Sequence, residues 1–261
     1  MKAWGITDIG LVRKENQDAY LIREATPSGY TICVVCDGMG GPAGGRLASQ
    51  IAVETFTDEL EHLLTPGMTP EQLLEASSYA VSQANAAIRE AARKSEQYQN
   101  MGTTLVSAVS YDGGAVITNV GDSRAYHITK DSIARVTKDH SLVERMVDRG
   151  DITAEEARRH PNRNLITRAL GPDADAQCDG YICPVEAGEH LLLCTDGLVN
   201  TVTDQEMLHE VLHRASLEEC LAHLLEIAKS QGAPDNVTAV LMRNLSGRGE
   251  TYGSVYWKNA G

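Results

Sequence analysis

The sequence predicts an α+β fold, because segments typical of strands and segments typical of helices each occur in clusters instead of alternating regularly. The chain has 261 residues and 42% of them are hydrophobic, which is enough to build a large core. Short apolar runs rich in Val, Ile and Thr, bounded by Gly, Asp and Asn, are typical of strands. Such strands are predicted at 19–23, 30–36, 103–111, 114–120, 124–129, 190–195 and 237–243.

Helices are predicted where a capping residue precedes an amphipathic stretch, since its side chain accepts a hydrogen bond from the first turn. These starts occur at Thr69, Thr153, Thr203 and Ser216. The proline after Thr69 strengthens the first of them, and this helix is expected to run to about Ser95. Another amphipathic stretch covers 47–64, after a Gly-rich turn.

The charge of the chain limits its partners. Its net charge is −13, which argues against nucleic acid, since binding to a phosphate backbone requires a basic surface. The amino-terminal sequence MKAWGITDIG lacks the apolar region of a secretion signal, and no apolar run is long enough to span a bilayer. We therefore expect a cytoplasmic protein without membrane insertion. Nothing in the sequence indicates an obligate oligomer, so a monomer is expected.

Two of the six cysteines, Cys33 and Cys36, form a C-x-x-C spacing that also occurs in redox pairs. Both fall in the predicted strand 30–36, where residues three apart point to opposite faces, so the thiols should diverge. A redox pair would also need a stabilised thiolate. We therefore interpret them as core residues of a protein in a reducing compartment.

Four aspartates stand at the ends of predicted strands. Asp37, Asp122 and Asp196 follow apolar runs, and Asp235 lies just before one. A single Asp-Gly is usually a turn, but the repeated pattern favours carboxylates that converge and bind divalent cations. Arg13 could bind phosphate oxygens in a bidentate way, although an arginine is usually a solvated surface residue.

These features together resemble the metal-dependent protein phosphatase family, also called the protein phosphatase 2C or PPM family. The motifs that carry the resemblance run in order along nearly the whole chain. They are TDIGLVRKENQD (7–18), VVCDGMGG (34–41), MGTTL (101–105), NVGDSR (119–124), TKDHSLV (137–143), NLITRALG (164–171), LLLCTDGL (191–198) and PDNVTAVL (234–241). The length and the absence of appended domains are similar to the stand-alone bacterial members.

The resemblance implies a four-layer αββα sandwich, with two antiparallel sheets flanked by helices and a metal site in a cleft at one end. Two central ions, Mn²⁺ or Mg²⁺, are implied, with Asp37 shared between them. It also implies that the Gly38 carbonyl binds one ion and that Asp196 and Asp235 hold the other. A third ion would lie at Asp122 and Asp196.

The activity implied by the resemblance is hydrolysis of phosphoserine and phosphothreonine in proteins. A hydroxide bridging the two metals would attack phosphorus, Arg13 would bind the substrate phosphate, and no covalent intermediate would form. Asp18 would contact a metal through a bound water, as Asn236 could. The partners implied are phosphorylated proteins, namely substrates of bacterial Ser/Thr kinases.

The sequence departs from some members of the family at two positions. Met39 stands where they have a His that is proposed to protonate the leaving oxygen. Either a metal-bound water or another group must therefore supply that proton, with His140 and His160 as candidates. Gln17 stands where some members have Glu.

The domain organisation is expected to be simple. Residues 1–245 should form one phosphatase domain, and residues 144–161 should form an exposed helical flap beside the active site, although a surface excursion without a catalytic role is the plainer interpretation. The polar residues 246–261 are expected to be a loosely ordered tail.

Two other functions fit the same resemblance. One is a catalytically dead module that binds phosphorylated proteins, which should have lost metal ligands. The other is a specialised phosphatase that acts on a single regulator. The proposed ligands are all present in this sequence, so a general Ser/Thr protein phosphatase is favoured.

Overall fold

The described part of the chain, residues 1–41, 44–245 and 256–258 of a computed structural model, forms two β-sheets and two sets of helices. The strands are β1 (Lys2–Asp8), β2 (Asp18–Arg23), β3 (Ile32–Met39), β4 (Gly102–Thr103), β5 (Leu105–Tyr111), β6 (Gly114–Val120), β7 (Arg124–Ile128), β8 (Ile133–Arg135), β9 (Asp179–Pro184), β10 (His190–Cys194), β11 (Val237–Arg243) and β12 (Tyr256–Lys258). The helices are α1 (Gly44–Leu63), α2 (Pro70–Ala92), α3 (Leu142–Asp148), α4 (Ala154–Arg159), α5 (Asp196–Val199), α6 (Asp204–His213) and α7 (Leu217–Ser230), with a 3-10 turn at Glu96–Tyr98.

Both sheets are antiparallel. The five-stranded sheet has the order β1-β11-β10-β7-β8, and the seven-stranded sheet has the order β12-β9-β6-β5-β3-β2, with β4 paired to β3. The pairing of Asp18 with Asp37 in β2 and β3, and of Asp8 with Val237 in β1 and β11, fixes which ends of the strands meet. The predicted α+β class with two antiparallel sheets is confirmed.

Three apolar layers hold the sheets and helices together, and the period of two along the strands explains them. In β3, Val34 and Cys36 pack under α1 and α2, whereas Cys33 and Val35 face the other sheet. Leu192 in β10 faces α6 and α7 in the same way. The order of layers is therefore helices, sheet, sheet, helices, which is the predicted αββα sandwich.

Every strand and helix start predicted from the sequence is present with small shifts at the ends, except that the predicted strand 103–111 divides into β4 and β5. The helix that begins after Thr69 ends at Ala92 and not near Ser95. Thr69, Thr153 and Thr203 each form a reciprocal capping box with the side chain three residues later. Strands β1, β8, β9 and β12 and the short helix α5 are absent from the sequence-based expectations.

The six cysteines are all free, and the thiols of Cys33 and Cys36 point to opposite faces of β3, as predicted. Burial raises the pKa of the Cys194 thiol to about 12 and places that of Cys36 well above its usual value. Cys33 and Cys36 are therefore buried core residues with unreactive thiols and not a redox pair.

No helix within the described residues is long and apolar enough to cross a membrane. The predicted loose tail falls mostly on residues 246–255 and 259–261, which lie outside the described part. The three residues of the predicted tail that are described, Tyr256–Lys258, form β12 and pair with β9.

Candidate active site

The predicted carboxylates converge at one end of the sandwich. Asp37 lies in β3, Asp122 follows β6, Asp196 follows β10 and Asp235 precedes β11, so both sheets contribute. All four line one cleft of about 880 Å³ together with Arg13. The remaining residues that line it are Lys14, Glu15, Gln17, Gly38, Met39, Gly40, Gly41, Thr104, Asn164, Ile166 and Asn236.

The electrostatics of the cleft favour a bound cation. Burial, followed by the charges of Asp18 and Asp196, holds the pKa of Asp37 well above its usual value. Burial, with the charge of Asp196 next, raises the pKa of Asp122 to about 8. Crowded carboxylates of this kind resist ionisation unless positive charge lies among them. Divalent cations with oxygen ligands supply that charge, so the residues present fit a metal centre.

Asp18 lies beneath the cleft and does not line it. It pairs with Asp37 across β2 and β3, and its Oδ2 accepts a hydrogen bond from Thr195 Oγ1 at 2.9 Å. Its Oδ1 is buried without a hydrogen-bond partner, and burial raises the pKa of the carboxyl to about 7. A buried oxygen without a partner beside Asp37 fits a group that acts through water or an ion.

The carboxylates do not form a ready-made ligand set, because among the described residues no three Asp, Glu, His or Cys side chains are arranged to hold one ion. Asp235 instead pairs with Arg13, whose Nη2 donates to Oδ2 at 2.6 Å. Asp196 accepts from Asn200 Nδ2 at 3.1 Å. An ion bound by these carboxylates would therefore replace protein donors that they bind in this structure.

Gly38 allows three backbone segments to meet beside Asp37. A Cβ atom at this position would collide with the carbonyl oxygens of Gly45 in the first turn of α1 and of Gln17 in the loop before β2. Only glycine permits this approach.

The loop that carries Arg13 is held by Asn236. Its Nδ2 donates to the carbonyls of Ile9 and Glu15 at 3.0 Å, and its Oδ1 accepts from Gln17 N–H at 2.9 Å. Arg13 itself is half-exposed, so its guanidinium can reach both Asp235 and a bound ligand. The observed contacts of Asn236 are thus with the backbone of this loop.

Two threonines of the MGTTL motif, Thr103 and Thr104, hold the backbone of Asp37, a role that is not predicted from the sequence. Thr104 Oγ1 accepts from the Asp37 N–H at 2.9 Å, and Thr103 Oγ1 donates to the Asp37 carbonyl at 2.8 Å. Thr104 also bonds Ser123 Oγ at 2.6 Å. Two hydroxyls therefore fix the backbone of Asp37, a function that apolar patterning could not reveal.

Neither histidine considered as the missing acid lines the cleft. His140 is buried, its Nδ1 accepts from the Gly121 N–H at 3.0 Å, and its Nε2 lies 3.1 Å from Asp179 Oδ2. His160 Nδ1 accepts from the Asn162 N–H outside the cleft. Met39 does line the cleft and carries no transferable proton.

The segment predicted as a flap forms the expected helical pair, α3 and α4, next to the cleft. Asn164 and Ile166, which follow α4, contribute to the wall of the cleft near Asp122. None of the described residues within 144–161 lines the cleft itself, so a catalytic role for the segment stays a prediction.

Comparison with known proteins places this site in context. The sequence model of a family described as Protein phosphatase 2C matches residues 12–242. The serine/threonine phosphatase stp of Listeria innocua is 35% identical over 244 residues, which is 93% of this chain and 96% of that protein. The protein phosphatase PhpP of Streptococcus pneumoniae is 32% identical over 237 residues, covering 91% and 95%.

Solved structures agree with these sequence matches. The serine/threonine phosphatase Stp1 from Staphylococcus aureus superposes with a TM-score of 0.87 at 33% identity, over 94% of this chain and 95% of that one. The serine/threonine phosphatase PstP/Ppp from Mycobacterium tuberculosis gives 0.83 at 32% identity, over 94% and 99%.

Proposed function

Because the chain belongs to the protein phosphatase 2C family, we propose that it removes phosphate from phosphoserine and phosphothreonine in other proteins. The observation that carries this proposal is the convergence of four aspartates and one arginine on a single cleft. Carboxylates bind divalent cations and a guanidinium binds phosphate oxygens, so the cleft combines what hydrolysis of a phosphate monoester requires. The names of the similar Listeria and Staphylococcus enzymes support specificity for serine and threonine.

The oxygen donors of the cleft suit two central Mn²⁺ or Mg²⁺ ions and a third beside them. In this proposal Asp37, the Gly38 carbonyl, Asp196 and Asp235 would hold the central ions, and Asp122 with Asp196 would hold the third. When bound, the ions would supply Lewis acidity that lowers the pKa of the attacking water and offsets charge on the phosphoryl group.

The protein's own groups would bind and orient the reactants. Arg13 exchanges Asp235 for the substrate phosphate, and Asp18, fixed by Thr195, orients water beneath Asp37. The water oxygen forms the new bond to phosphorus as the bond to the serine or threonine oxygen breaks. Since Met39 has no proton to give, the leaving oxygen takes its proton from water in the open cleft.

An assay with phosphopeptides would test this function. The protein should release phosphate from phosphoserine and phosphothreonine peptides in Mn²⁺ or Mg²⁺, and much less from the matched phosphotyrosine peptide. A chelator should abolish turnover and added Mn²⁺ should restore it. Asp37→Asn serves as the inactive control. Full turnover in metal-free buffer would disprove the proposal.

The broader setting is also part of the proposal. Residues 1–245 would act as one phosphatase domain in the cytoplasm, as a monomer, on proteins phosphorylated by bacterial Ser/Thr kinases, with 144–161 as a mobile flap. A module that only binds phosphoproteins would retain a phosphopeptide without releasing phosphate. A phosphatase with one dedicated regulator would act on that protein and leave a panel of unrelated phosphopeptides intact.

A further inference from the structure

His140 connects the Asp122 turn to the base of the flap. It is buried in the segment between β8 and α3. Its backbone N–H donates to the Gly121 carbonyl at 2.9 Å, and its ring Nδ1 accepts from the Gly121 N–H at 3.0 Å. Both backbone polar groups of Gly121, the residue before Asp122, are therefore bonded to this one histidine.

The hydrogen bond from Gly121 determines the tautomer of the ring. Because Nδ1 accepts the hydrogen bond from the Gly121 N–H, the proton of the neutral imidazole must lie on Nε2. Nε2 then donates to Asp179 Oδ2 at 3.1 Å. Arg168 Nη1 lies 3.2 Å from Nε2 and donates to the other carboxylate oxygen of Asp179 at 2.9 Å. The hydrogen bond from His140, with the charge of Arg168, lowers the pKa of Asp179, which therefore stays ionised as the acceptor.

The same residue is bonded to the far side of the flap. The Thr167 N–H donates to the His140 carbonyl at 2.7 Å, and next to it Ser141 forms a β-bridge with Ile166. Ile166 lines the cleft. The chain segments that enter and leave the flap therefore meet at His140. The neighbouring residue Ser141 is bridged to Ile166 in the wall of the cleft.

Gly121 is closed in from the opposite side. It has a φ of +103°, and a Cβ atom there would lie 2.6 Å from Thr104 Cγ2. Thr104 in turn bonds the backbone of Asp37. The turn before Asp122 is therefore held between the residue that fixes Asp37 and the residue that joins the flap.

We propose that His140 is a positioning residue for the phosphatase reaction, which holds the Gly121–Asp122 turn to the base of the flap and so keeps Asp122 aimed into the cleft. The proposal rests on the proposed role of Asp122 in turnover. Movement of the flap as it engages a phosphoprotein would reach the Asp122 turn through this histidine, whereas Arg13 and Asp235 lie on the other sheet's side of the cleft and would be unaffected.

The first test needs no activity and uses the metal-free protein. In ¹⁵N NMR spectra the His140 ring should be the Nε2–H tautomer, and the Gly121 amide should exchange slowly with solvent. His140→Asn places an oxygen near the Nδ1 position and should keep that protection, whereas His140→Gln, which mimics Nε2, should lose it. An Nδ1–H tautomer, or fast exchange of the Gly121 amide in the unmodified protein, would overturn the proposal whatever the enzyme does.

The second test is kinetic. His140→Gln should lower kcat for a phosphoserine peptide roughly tenfold with KM within about twofold, and His140→Asn should recover most of kcat. The matched control is His127→Gln, because His127 pairs with Glu189 at 2.8 Å on the part of β7 away from the cleft and should leave kcat unchanged. Equal kcat in the two His140 variants and the unmodified protein would refute the positioning role. An inactive unmodified protein would instead refute the proposed function while the NMR result stands.

Discussion

Arg13 is paired with a carboxylate that the proposed metal site also uses. The hydrogen bond to Asp235, more than any other contact, raises the pKa of the guanidinium, so Arg13 stays charged throughout the working range of the enzyme. In the proposed function, the metal ion would replace Arg13 at Asp235 and the substrate phosphate would replace Asp235 at Arg13. Arrival of the ion at Asp235 would release Arg13 for the phosphate.

Replacement of Arg13 by alanine should raise KM for a phosphopeptide several-fold with a smaller change in kcat, because the guanidinium would contact phosphate in both ground and transition states. Metal affinity should not fall, since Asp235 loses a competing partner. Steady-state kinetics and calorimetric metal titration would measure both effects. Arg23→Ala, a surface arginine paired with Glu61, is the control. An unchanged KM would reduce Arg13 to a surface charge.

Asp122 should affect turnover more than folding. We expect Asp122→Ala to keep the fold and the two central ions but to lower kcat by roughly tenfold or more, about 1.4 kcal/mol of barrier. The physical reason is that a third ion would orient water without holding the central site together. Calorimetric titration and phosphopeptide kinetics on the same variant would measure this. Loss of all metal binding would assign Asp122 to the central site instead.

Among the individual residues, the sequence predicted those whose chemistry is unusual for their position. Asp37, Asp122, Asp196 and Asp235 stood out because charge at the end of an apolar strand is uncommon. Contacts between distant segments could not be predicted in this way. The pair of Arg13 with Asp235 joins residues 222 positions apart, and nothing in either local sequence indicates it.

At the level of helices, the capping boxes contribute to the stability of the fold. Thr69 Oγ1 accepts from the Gln72 N–H at 3.3 Å and Gln72 Oε1 accepts from the Thr69 N–H at 2.9 Å, which satisfies two groups that the start of α2 would otherwise leave free. Because α2 covers one face of the seven-stranded sheet, its start contributes to the stability of that whole layer.

Thr69→Ala should lower the free energy of unfolding by about 1 kcal/mol and leave kcat unchanged, because the cap lies outside the cleft. Thr69→Ser keeps the hydroxyl and is the matched control. Urea denaturation followed by circular dichroism would measure the difference. Equal stability of the alanine variant and the unmodified protein would mean that water replaces the cap at no cost.

Two of the strands that were not predicted, β1 and β9, carry local sequence signals against a strand. In β1 a glycine interrupts the apolar pattern at Gly5 and the strand lies at the edge of its sheet, so its residues are only partly buried. In β9 the sequence begins with Asp-Gly and ends with Pro184, which are turn signals. Pairing with β6 overrides them, and this pairing is a tertiary effect that local patterns do not contain.

The stability of the whole molecule depends on pH, because buried aspartates lie at its centre. Burial, opposed in part by hydrogen bonds from Thr238 and Thr195, raises the pKa of Asp18 to about 7, and burial with the charge of Asp196 raises that of Asp122 to about 8. The folded state therefore binds these protons more tightly than the unfolded chain, whose aspartates titrate near 3.9. Their contribution to stability is complete below about pH 4 and is lost as the pH rises through 7 to 8.

Accordingly, the melting temperature of the chelated protein should fall between pH 6 and pH 8.5. Added Mn²⁺ should raise it more at pH 8 than at pH 6, because ions and protons compete for the same oxygens. Differential scanning calorimetry at both pH values would test this, and Asp122→Asn should weaken the pH dependence. A melting temperature that rises with pH in chelator would contradict it.

The cysteines divide themselves among the three apolar layers. Cys36 lies under α1 and α2, and Cys33 and Cys183 lie between the sheets. Cys194 lies under α6 and α7, and Cys220 is a residue of α7 that packs in the same layer. An alkylating reagent can modify such shielded thiols only in molecules whose layer has opened. Peptide mapping of the labelled sites against time would therefore record the order in which the layers separate. The native cysteines can report this order without any engineered label.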